Sequence, residues 1–488
     1  MKTKRFGAAV AAMSMLAGCG GDGGGGGTGT GPVTGGVATP TPTVSTGCTL
    51  QAREQWVFAR MTEWYLFPET LPTAFTPLAA SAGQTDFDAL QDYLDGLTAT
   101  ARSQNKDRYF TYVTSVAEEN AYYNSGSTAG FGVRLSYDVP ARRVYVSEAF
   151  EGAPALNAGI DRGTEILAIG TSSANLRTVS DLIASGGQEA VTDALGPTTA
   201  GTTRVLRVSD AAGTRELTVA KADYALQPVS PRYGYRILDD GGKKVGYVNL
   251  RTFISTADDQ LRTAFGAFKA AGVTEAIVGF RYNGGGLLST AETLSDLLGG
   301  NRQTSDLQAA TRFRPSKSSE DELRYFRREA NAIPAMKIAF IGTGATASAS
   351  EYVINAFVPY LHSNAALVGS NTFGKPVGQI ALDNPSCSDD RLRVIAFALT
   401  NAAGTGDYYN GLASKMEATC QAGDDLTRPL GDPEEASVAA ALNFLAGRGC
   451  TPIGATASSE RVAAFARQRE MLSPAAPSTA QRETPGLF

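Results

Sequence analysis

The stretch KIAFIGTGATASASEYVINAFVPYL, residues 337–361, joins an apolar run, a Gly/Thr turn and a second apolar run. Its pattern predicts a buried strand over 337–341 and a helix over 349–361, with Ser348 at the junction. Free N–H groups and partial positive charge at a helix N-terminus favour an alkoxide, so Ser348 is a candidate nucleophile. The pattern Ser348-x-x-Glu351 is also that of a capping box, in which the serine only caps the helix.

Strand and helix signals alternate on both sides of this stretch, across residues 225–450. Helices are predicted over 258–271, 287–298 and 434–445, and further strands over 244–250, 275–280, 366–369 and 392–400. Such alternation predicts an α/β or α+β core built on a mixed sheet.

The composition leaves few candidates for the general base of a serine nucleophile, because the chain has a single histidine, His362. A helix running from Ser348 to His362 would separate them by about 21 Å, far beyond hydrogen-bond reach. Lys375, 27 residues after Ser348 in the run Thr-Phe-Gly-Lys-Pro, can serve instead if its amine is neutral. Gln379 is placed to hydrogen-bond that amine, although a lysine in such a turn is often only solvated.

A glycine loop forms the third candidate element. The run Arg281-Tyr282-Asn283-Gly284-Gly285-Gly286 lies between a predicted buried strand and a predicted helix. Its glycines let the backbone turn tightly, and exposed N–H groups there can bind an oxyanion together with the N–H of Ala349.

Residues 126–224 change character and resemble a PDZ domain. Glycines and short alternating strands surround the runs Pro154-Ala155-Leu156-Asn157-Ala158-Gly159-Ile160 and Ile166-Leu167-Ala168-Ile169-Gly170. The resemblance implies a groove that takes a peptide C-terminus as an added strand. Its carboxylate-binding loop would be Gly130, Phe131, Gly132 and Val133. The open alternative is a module that packs against its neighbours and binds nothing.

The order of these elements over residues 49–450 resembles peptidase family S41, the tail-specific processing proteases. It runs from the PDZ-like module through Arg-x-Asn-x-Gly-Gly and Ser-Ala-Ser-Glu to Phe-Gly-Lys-x-x-x-Gln. The resemblance implies a core of the ClpP/crotonase type and a serine endopeptidase that needs no cofactor. Its site would comprise Ser348 as nucleophile, Lys375 as base, Gln379 as the residue orienting the lysine, and Gly285, Gly286 and Ala349 as oxyanion donors. The alternative is a non-catalytic peptide-binding protein on a retired protease scaffold.

The N-terminus reads as a lipoprotein signal. Charged residues and a short apolar run over 1–18 end in Leu-Ala-Gly before Cys19, which we expect to carry lipid. The alternative is a plain signal peptide with a chance cysteine. A Gly-rich tether over 19–47 would lift the folded body off the membrane, and Gly20 favours the outer membrane, facing the periplasm.

Four cysteines remain after Cys19, an even number that suggests two disulfides in an oxidising compartment, with free thiols as the alternative. Three connectivities are open, and we favour Cys48–Cys450, which brackets the folded region, with Cys387–Cys420.

The whole chain is therefore predicted to be a multidomain α+β protein. A helical region over 48–125 precedes the PDZ-like module over 126–224 and the protease core over 225–450. A low-complexity tail over 451–488 is expected to be mostly disordered, with a possible short helix at 459–471. A net charge of −5 without a basic stripe argues against nucleic acid as partner, and no cluster suggests a metal site. The expected partners are a peptide or protein substrate, recognised through its C-terminus, and the membrane through the lipid anchor.

Overall fold

The computed structural model describes residues 47–454 and 469–488. Its helices are α1 (Leu50–Trp64), α2 (Asp86–Ser103), α3 (Val116–Ser125), α4 (Pro154–Asn157), α5 (Val179–Leu195), α6 (Ala257–Ala270), α7 (Leu288–Leu298), α8 (Ala349–Leu361), α9 (Ala436–Leu445) and α10 (Thr479–Glu483). Its strands are β1 (Tyr112–Ser115), β2 (Ser127–Gly130), β3 (Val133–Asp138), β4 (Arg143–Ala149), β5 (Glu165–Gly170), β6 (Arg177–Thr178), β7 (Thr203–Asp210), β8 (Gly213–Ala220), β9 (Ala222–Ala225), β10 (Tyr235–Asp240), β11 (Lys243–Asn249), β12 (Glu275–Gly279), β13 (Leu307–Phe313), β14 (Glu322–Tyr325), β15 (Lys337–Gly342), β16 (Ala365–Gly369), β17 (Val377–Asp383), β18 (Asp390–Thr400), β19 (Ala418–Gln421) and β20 (Glu470–Met471).

A six-stranded sheet carries the candidate nucleophile. Its order is β10-β11-β12-β15-β16-β19, with β10 antiparallel and the other strands parallel. Alternate side chains of each strand point to opposite faces. On β15, Phe340 packs with α6, α7 and α8, whereas Ile341 packs with α9 on the other face. Because both faces are covered, the strands are buried, and functional groups lie at their carboxyl ends.

A second sheet carries the lysine that precedes β17. Strands β1, β18, β13 and β14 pair in that order, and β17 pairs with β18. Apolar residues of α1 and α2 pack with Val377, Leu392 and Val394 of this sheet. The helical N-terminal region thus backs the strand that follows Lys375.

A third sheet, in the order β20-β3-β4-β5-β7-β8 with β6 beside β5, packs its apolar face on α4 and α5. A separate ribbon of β2 and β9 leads into and out of it. The predicted strands of residues 126–224 lie here, and the PDZ-like identity of the module stays a prediction.

Most of the predicted core elements lie where the patterns placed them. The helix predicted over 349–361 is α8, and the strand predicted over 337–341 is β15 with one more residue. The sequence analysis missed α5, β2, β6, β9, β10, β13, β14, β17, β19 and β20, and it missed β1 inside the region expected to be helical. The 7-residue β13, with sequence LQAATRF, contains no regular alternation, so its partner β18 sets its conformation.

The favoured disulfide pairing is wrong. The structure joins Cys48 to Cys387 and Cys420 to Cys450, each with Cα atoms 5.3 Å apart. Cys48 precedes α1, which packs on the sheet beside the β17–β18 turn that contains Cys387. Cys450 follows α9, which packs back over the sheet whose edge strand β19 carries Cys420. Tertiary packing therefore decides the connectivity.

The tail is also different from the expectation. Residues 469–488 are structured: β20 pairs with β3, α10 follows, and Leu472, Leu487 and Phe488 are buried. Most of the helix predicted at 459–471 lies outside the described residues, and Met471 belongs to β20.

The predicted signal, Cys19 and nearly all of the tether also lie outside the described residues. Among the helices that are described, none has the length and apolar character needed to span a bilayer.

Candidate active site

Ser348 lies at the carboxyl end of β15, immediately before α8. Its φ of +54° is a left-handed conformation that residues other than glycine rarely adopt. The turn is held because Ala347 N donates to Asn283 O at 3.0 Å and Ser348 N donates to Glu351 Oε2 at 3.0 Å. Strained backbone of this kind is concentrated at functional sites, where it aims a side chain.

Glu351 ties the serine to the lysine. Its buried carboxylate accepts from Thr372 Oγ1 at 2.6 Å, Gly374 N at 2.8 Å and Lys375 N at 2.8 Å, as well as from Ser348 N. The amides of Ser348 and Lys375 share the same oxygen, Oε2, so their nitrogens lie within about 6 Å of each other. Burial raises the pKa of Glu351, while the four donors favour its charged form.

The side chain of Lys375 is enclosed by apolar and polar neighbours. Its Nζ donates to Gln379 Oε1 at 3.2 Å and lies 5.3 Å from the centre of the Phe110 ring. Gln379 in turn donates from Nε2 to the carbonyl of Phe110. Burial is the main cause that lowers the pKa of Lys375 below its ordinary value, the change that a lysine base requires.

The glycine loop lies against Ser348. A Cβ built on Gly285 would lie 2.8 Å from Ser348 Cβ and 3.2 Å from Ala349 N. Ala349 is the first residue of α8, so its N–H has no partner inside the helix.

The oxyanion-donor role of Gly285 and Gly286 stays a prediction, and the contacts of the loop bear on it. Gly285 N already donates to Asn283 Oδ1 at 3.0 Å, and Gly286 runs beside Phe253 in a parallel bridge. The amide that reaches a peptide carbonyl is that of Gly284, which donates to Glu483 O at 3.0 Å. The glycine run was visible in the sequence, but the hydrogen bond from Gly285 N to the Asn283 side chain was not.

Buried ion pairs fix the glycine loop. Arg281 binds both oxygens of Glu435, at 2.8 and 3.0 Å, and the Tyr282 hydroxyl donates to Asp424. From the third sheet, Arg134 donates to the carbonyl of Tyr282. The loop is therefore held from the core and from the PDZ-like module together.

A cavity of about 730 Å³ opens beside these groups, and Gly284, Ala347 and Lys375 contribute to its lining. Residues of the C-terminal segment, including Arg482 and Glu483, line the same cavity. The sequence analysis missed this segment because its composition resembles a disordered tail. It also interpreted Glu351, which the Ser-x-x-Glu spacing had singled out, only as part of a helix cap and missed its hydrogen bond to Lys375 N.

The predicted peptide-binding loop lies between β2 and β3. Gly132 N and Val133 N donate to Phe488 O at 2.9 and 3.2 Å, and Phe131 is buried beneath. A Cβ on Gly130 would lie 2.8 Å from the carbonyl carbon of Phe488, so the loop and that residue are in close contact. The loop therefore binds a peptide carbonyl through two backbone amides.

His362 lies at the C-terminal end of α8, with its side chain 65% exposed and its Nδ1 2.8 Å from Glu417 Oε1. It is away from the start of α8, as the helix length predicts. Within residues 47–454 and 469–488, no group of His, Cys, Asp and Glu side chains is arranged to hold a metal ion.

Residues 244–405, which contain Ser348, Lys375 and the glycine loop, match the family model of peptidase family S41. In this segment the chain is similar to family S41, and it also resembles the carboxyl-terminal processing proteases. It is 25% identical over 263 residues to the carboxyl-terminal-processing protease of Picosynechococcus sp., covering 54% of this chain and 58% of the relative. It is 27% identical over 273 residues to the chloroplastic C-terminal processing peptidase of Tetradesmus obliquus, covering 53% and 54%.

The chain thus spans about half the length of the curated relatives it matches. Among solved structures, that of an S41 protease from Bacteroides fragilis superposes on this chain with a TM-score of 0.61 at 23% sequence identity. The match covers 81% of this chain and 97% of the other. It shows that the two proteins share a fold.

Proposed function

We propose that the protein is a serine endopeptidase that uses Ser348 and Lys375 as a catalytic pair. The observation that carries the proposal is the shared hydrogen-bond acceptor, Glu351 Oε2, which joins the two backbones at the end of the central sheet. The lowered pKa of Lys375, its contact with Gln379 and the family match support the same assignment.

In this mechanism, Ser348 Oγ attacks the carbonyl carbon of a peptide bond and transfers its proton to neutral Lys375 Nζ. The N–H groups of Gly284 and Ala349 stabilise the oxyanion. Lys375 then gives the proton to the leaving amine, and the C–N bond breaks to leave an acyl-enzyme. Water attacks the ester, with Lys375 again taking the proton, and the carboxyl product leaves as Ser348 regains its hydrogen. Gln379 holds the lysine amine towards the serine.

The second candidate is a non-catalytic protein that binds peptides through the PDZ-like module. The contact between Phe488 and the amides of Gly132 and Val133 favours peptide binding without requiring catalysis. Both functions are compatible with the fold, and only the first needs Ser348 and Lys375 to be held together by the buried Glu351.

The rate of peptide hydrolysis should rise with pH, because only the neutral amine of Lys375 accepts a proton. Burial and Arg482 lower its pKa, whereas Glu483, Asp107 and Glu351 raise it, and the net shift is downward. The midpoint of the rise should therefore lie below pH 10.5, the ordinary lysine value. Initial rates on a quenched-fluorescent peptide would measure it. Lys375→Arg is the control, since its charge persists and it should be inactive throughout. A rate independent of pH would contradict the lysine base.

For the PDZ-like module we propose that the loop 130–133 holds the C-terminus of a protein substrate. A peptide would then add as a strand beside β3, in the position that residues 486–488 occupy. The module would present substrates to the catalytic cleft.

For the N-terminus we propose a lipid on Cys19 and an outer-membrane location facing the periplasm. The supporting observation is the Leu-Ala-Gly-Cys run before a Gly-rich tether. Cys19→Ser should move the protein from the membrane fraction to the soluble periplasmic fraction. An unchanged distribution after cell fractionation would show that the anchor lies elsewhere.

A further inference from the structure

The C-terminal segment forms one interrupted strand along the edge of β3. Residues 488, 487 and 486 lie opposite 133, 134 and 135, through Phe488 N to Val133 O at 3.0 Å and Leu135 N to Gly486 O at 2.8 Å. The strand then continues as β20, which pairs with Ser136 and Tyr137. This is the geometry of a peptide added to an open sheet edge.

Between its two halves the segment leaves β3 and enters the catalytic cleft. The excursion, residues 473–485, includes α10 and reaches the glycine loop, where Gly284 N donates to Glu483 O. A Cβ on Gly284 would lie only 2.3 Å from Arg482 O, so the two backbones are in direct contact. One segment therefore occupies both the peptide-binding edge and the proposed active site.

The side chain of Glu483 lies beside the nucleophile. A Cβ built on Gly285 would be 3.2 Å from Glu483 Oε2, 2.8 Å from Ser348 Cβ and 3.2 Å from Ala349 N, so these groups surround one point. Tyr123 holds the carboxylate by donating to its Oε1 at 3.0 Å. The Glu483 side chain at this point occupies space that a substrate carbonyl and its oxyanion would need.

Glu483 also opposes the lowering of the Lys375 pKa that a lysine base requires. Its charge raises the pKa of Lys375, as do Asp107 and Glu351, whereas burial and Arg482 lower it. A lysine that stays protonated cannot take the proton of Ser348. The segment thus obstructs the cleft, and within it the charge of Glu483 opposes the neutral form of the proposed base.

We propose that residues 478–488 are an internal ligand that blocks the substrate path until an external peptide displaces them. The proposal rests on the proposed function for its catalytic consequence, but the displacement itself is a binding event. The hydrogen bonds of the segment run to the same backbone groups, in β3 and the glycine loop, that an added peptide would use.

Tethering makes such a ligand effective. A segment on a short linker acts at an effective concentration on the order of 1 mM. If the free segment binds with a Kd of ~10 µM, the tethered one would weaken the apparent affinity of an external peptide by ~100-fold. Cutting the tether should remove most of that factor on dilution.

The test uses the full chain with a recognition sequence for a site-specific protease inserted within 455–468, outside the described residues. The Ser348→Ala background removes catalysis, and fluorescence anisotropy follows a labelled peptide, STAQRETPGLF, which copies residues 478–488. We expect weak binding to the uncut chain and at least ~10-fold tighter binding after cutting and dilution. Equal affinity before and after cutting, with circular dichroism unchanged, would overturn the proposal.

A second variant keeps the test decisive if the cut chain unfolds. Glu483→Gln preserves the size of the side chain but removes its charge. In the uncut, otherwise native chain it should speed hydrolysis of an external peptide and shift the pH–rate midpoint downward, which a merely structural change would not do. An unchanged midpoint and rate would contradict the proposal. Phe488→Ala removes a buried side chain of the segment, so it should loosen the segment and increase binding of the external peptide. The matched control is Phe87→Ala, a change of the same kind at an exposed position of α2.

Three further outcomes separate the hypotheses. Displacement in Ser348→Ala without hydrolysis by the native chain would contradict the proposed function and leave this inference standing. Loss of residues 484–488 from the native chain by its own activity, seen by mass spectrometry, would make the segment a substrate and overturn the inference.

The labelled peptide as a C-terminal amide should bind more weakly than the free acid. Equal affinities would contradict the carboxylate-binding role of the loop 130–133.

Discussion

In the Ser348→Ala variant, peptide hydrolysis should fall by on the order of 10⁴-fold or more, because no other group forms the acyl-enzyme. Lys375→Ala should cause a loss of similar size, since the serine then keeps its proton. The double variant should be little worse than either single variant, because the two residues act as one unit. Values of kcat/KM for the four forms of the protein measure this non-additivity.

The matched control is His362→Ala. This histidine is exposed at the far end of α8 and pairs with Glu417, so its loss should leave kcat/KM within a few-fold. A collapse of activity in His362→Ala, or near-normal activity in a folded Lys375→Ala, would show that the proposed mechanism is wrong.

Glu351→Ala should reduce kcat by about 100-fold while leaving KM nearly unchanged. The carboxylate fixes the backbones of Ser348 and Lys375, and a misplacement of ~1 Å between catalytic groups costs about this factor. Its removal also leaves buried donors unsatisfied, which should lower the free energy of unfolding by about 3 kcal/mol. Steady-state kinetics with chemical denaturation would measure both effects.

A control for stability alone is Asp390→Ala. Asp390 accepts two hydrogen bonds from Arg53, at 2.6 and 2.7 Å, in another buried pair. Its loss should destabilise the protein to a similar degree with kcat within a few-fold. If both variants lost activity in proportion to stability, Glu351 would be only a structural residue. Glu351→Gln, which keeps an acceptor oxygen, should lie between native and Glu351→Ala in kcat.

Local pattern was enough to predict the elements around the candidate nucleophile. The apolar periodicity of 349–361 and the preceding Gly/Thr turn gave the limits of α8 and the position of Ser348 at its start. The contact between Lys375 and Gln379, four residues apart, was also predicted. These features depend on residues close in sequence, which is why they were predictable.

Features that depend on tertiary packing were not predictable. The hydrogen bond from Gly284 N to Glu483 O depends on a segment far away in sequence, and the cysteine pairing is decided by the packing of α1 and α9. The C-terminal segment has few apolar residues, and Leu487 and Phe488 become buried only through contact with the third sheet. A composition rich in Ala, Ser and Pro cannot reveal such a partner.

The Cys48–Cys387 disulfide closes a much larger ring of the chain than the Cys420–Cys450 disulfide does. Its cysteines are 339 positions apart, whereas Cys420 and Cys450 are separated by 30. In the chain-entropy description, the long ring restricts the unfolded chain by about 6 kcal/mol and the short one by about 4 kcal/mol. The larger share therefore comes from a bond that forms only after most of the chain has emerged, so oxidative maturation is linked to nearly complete synthesis.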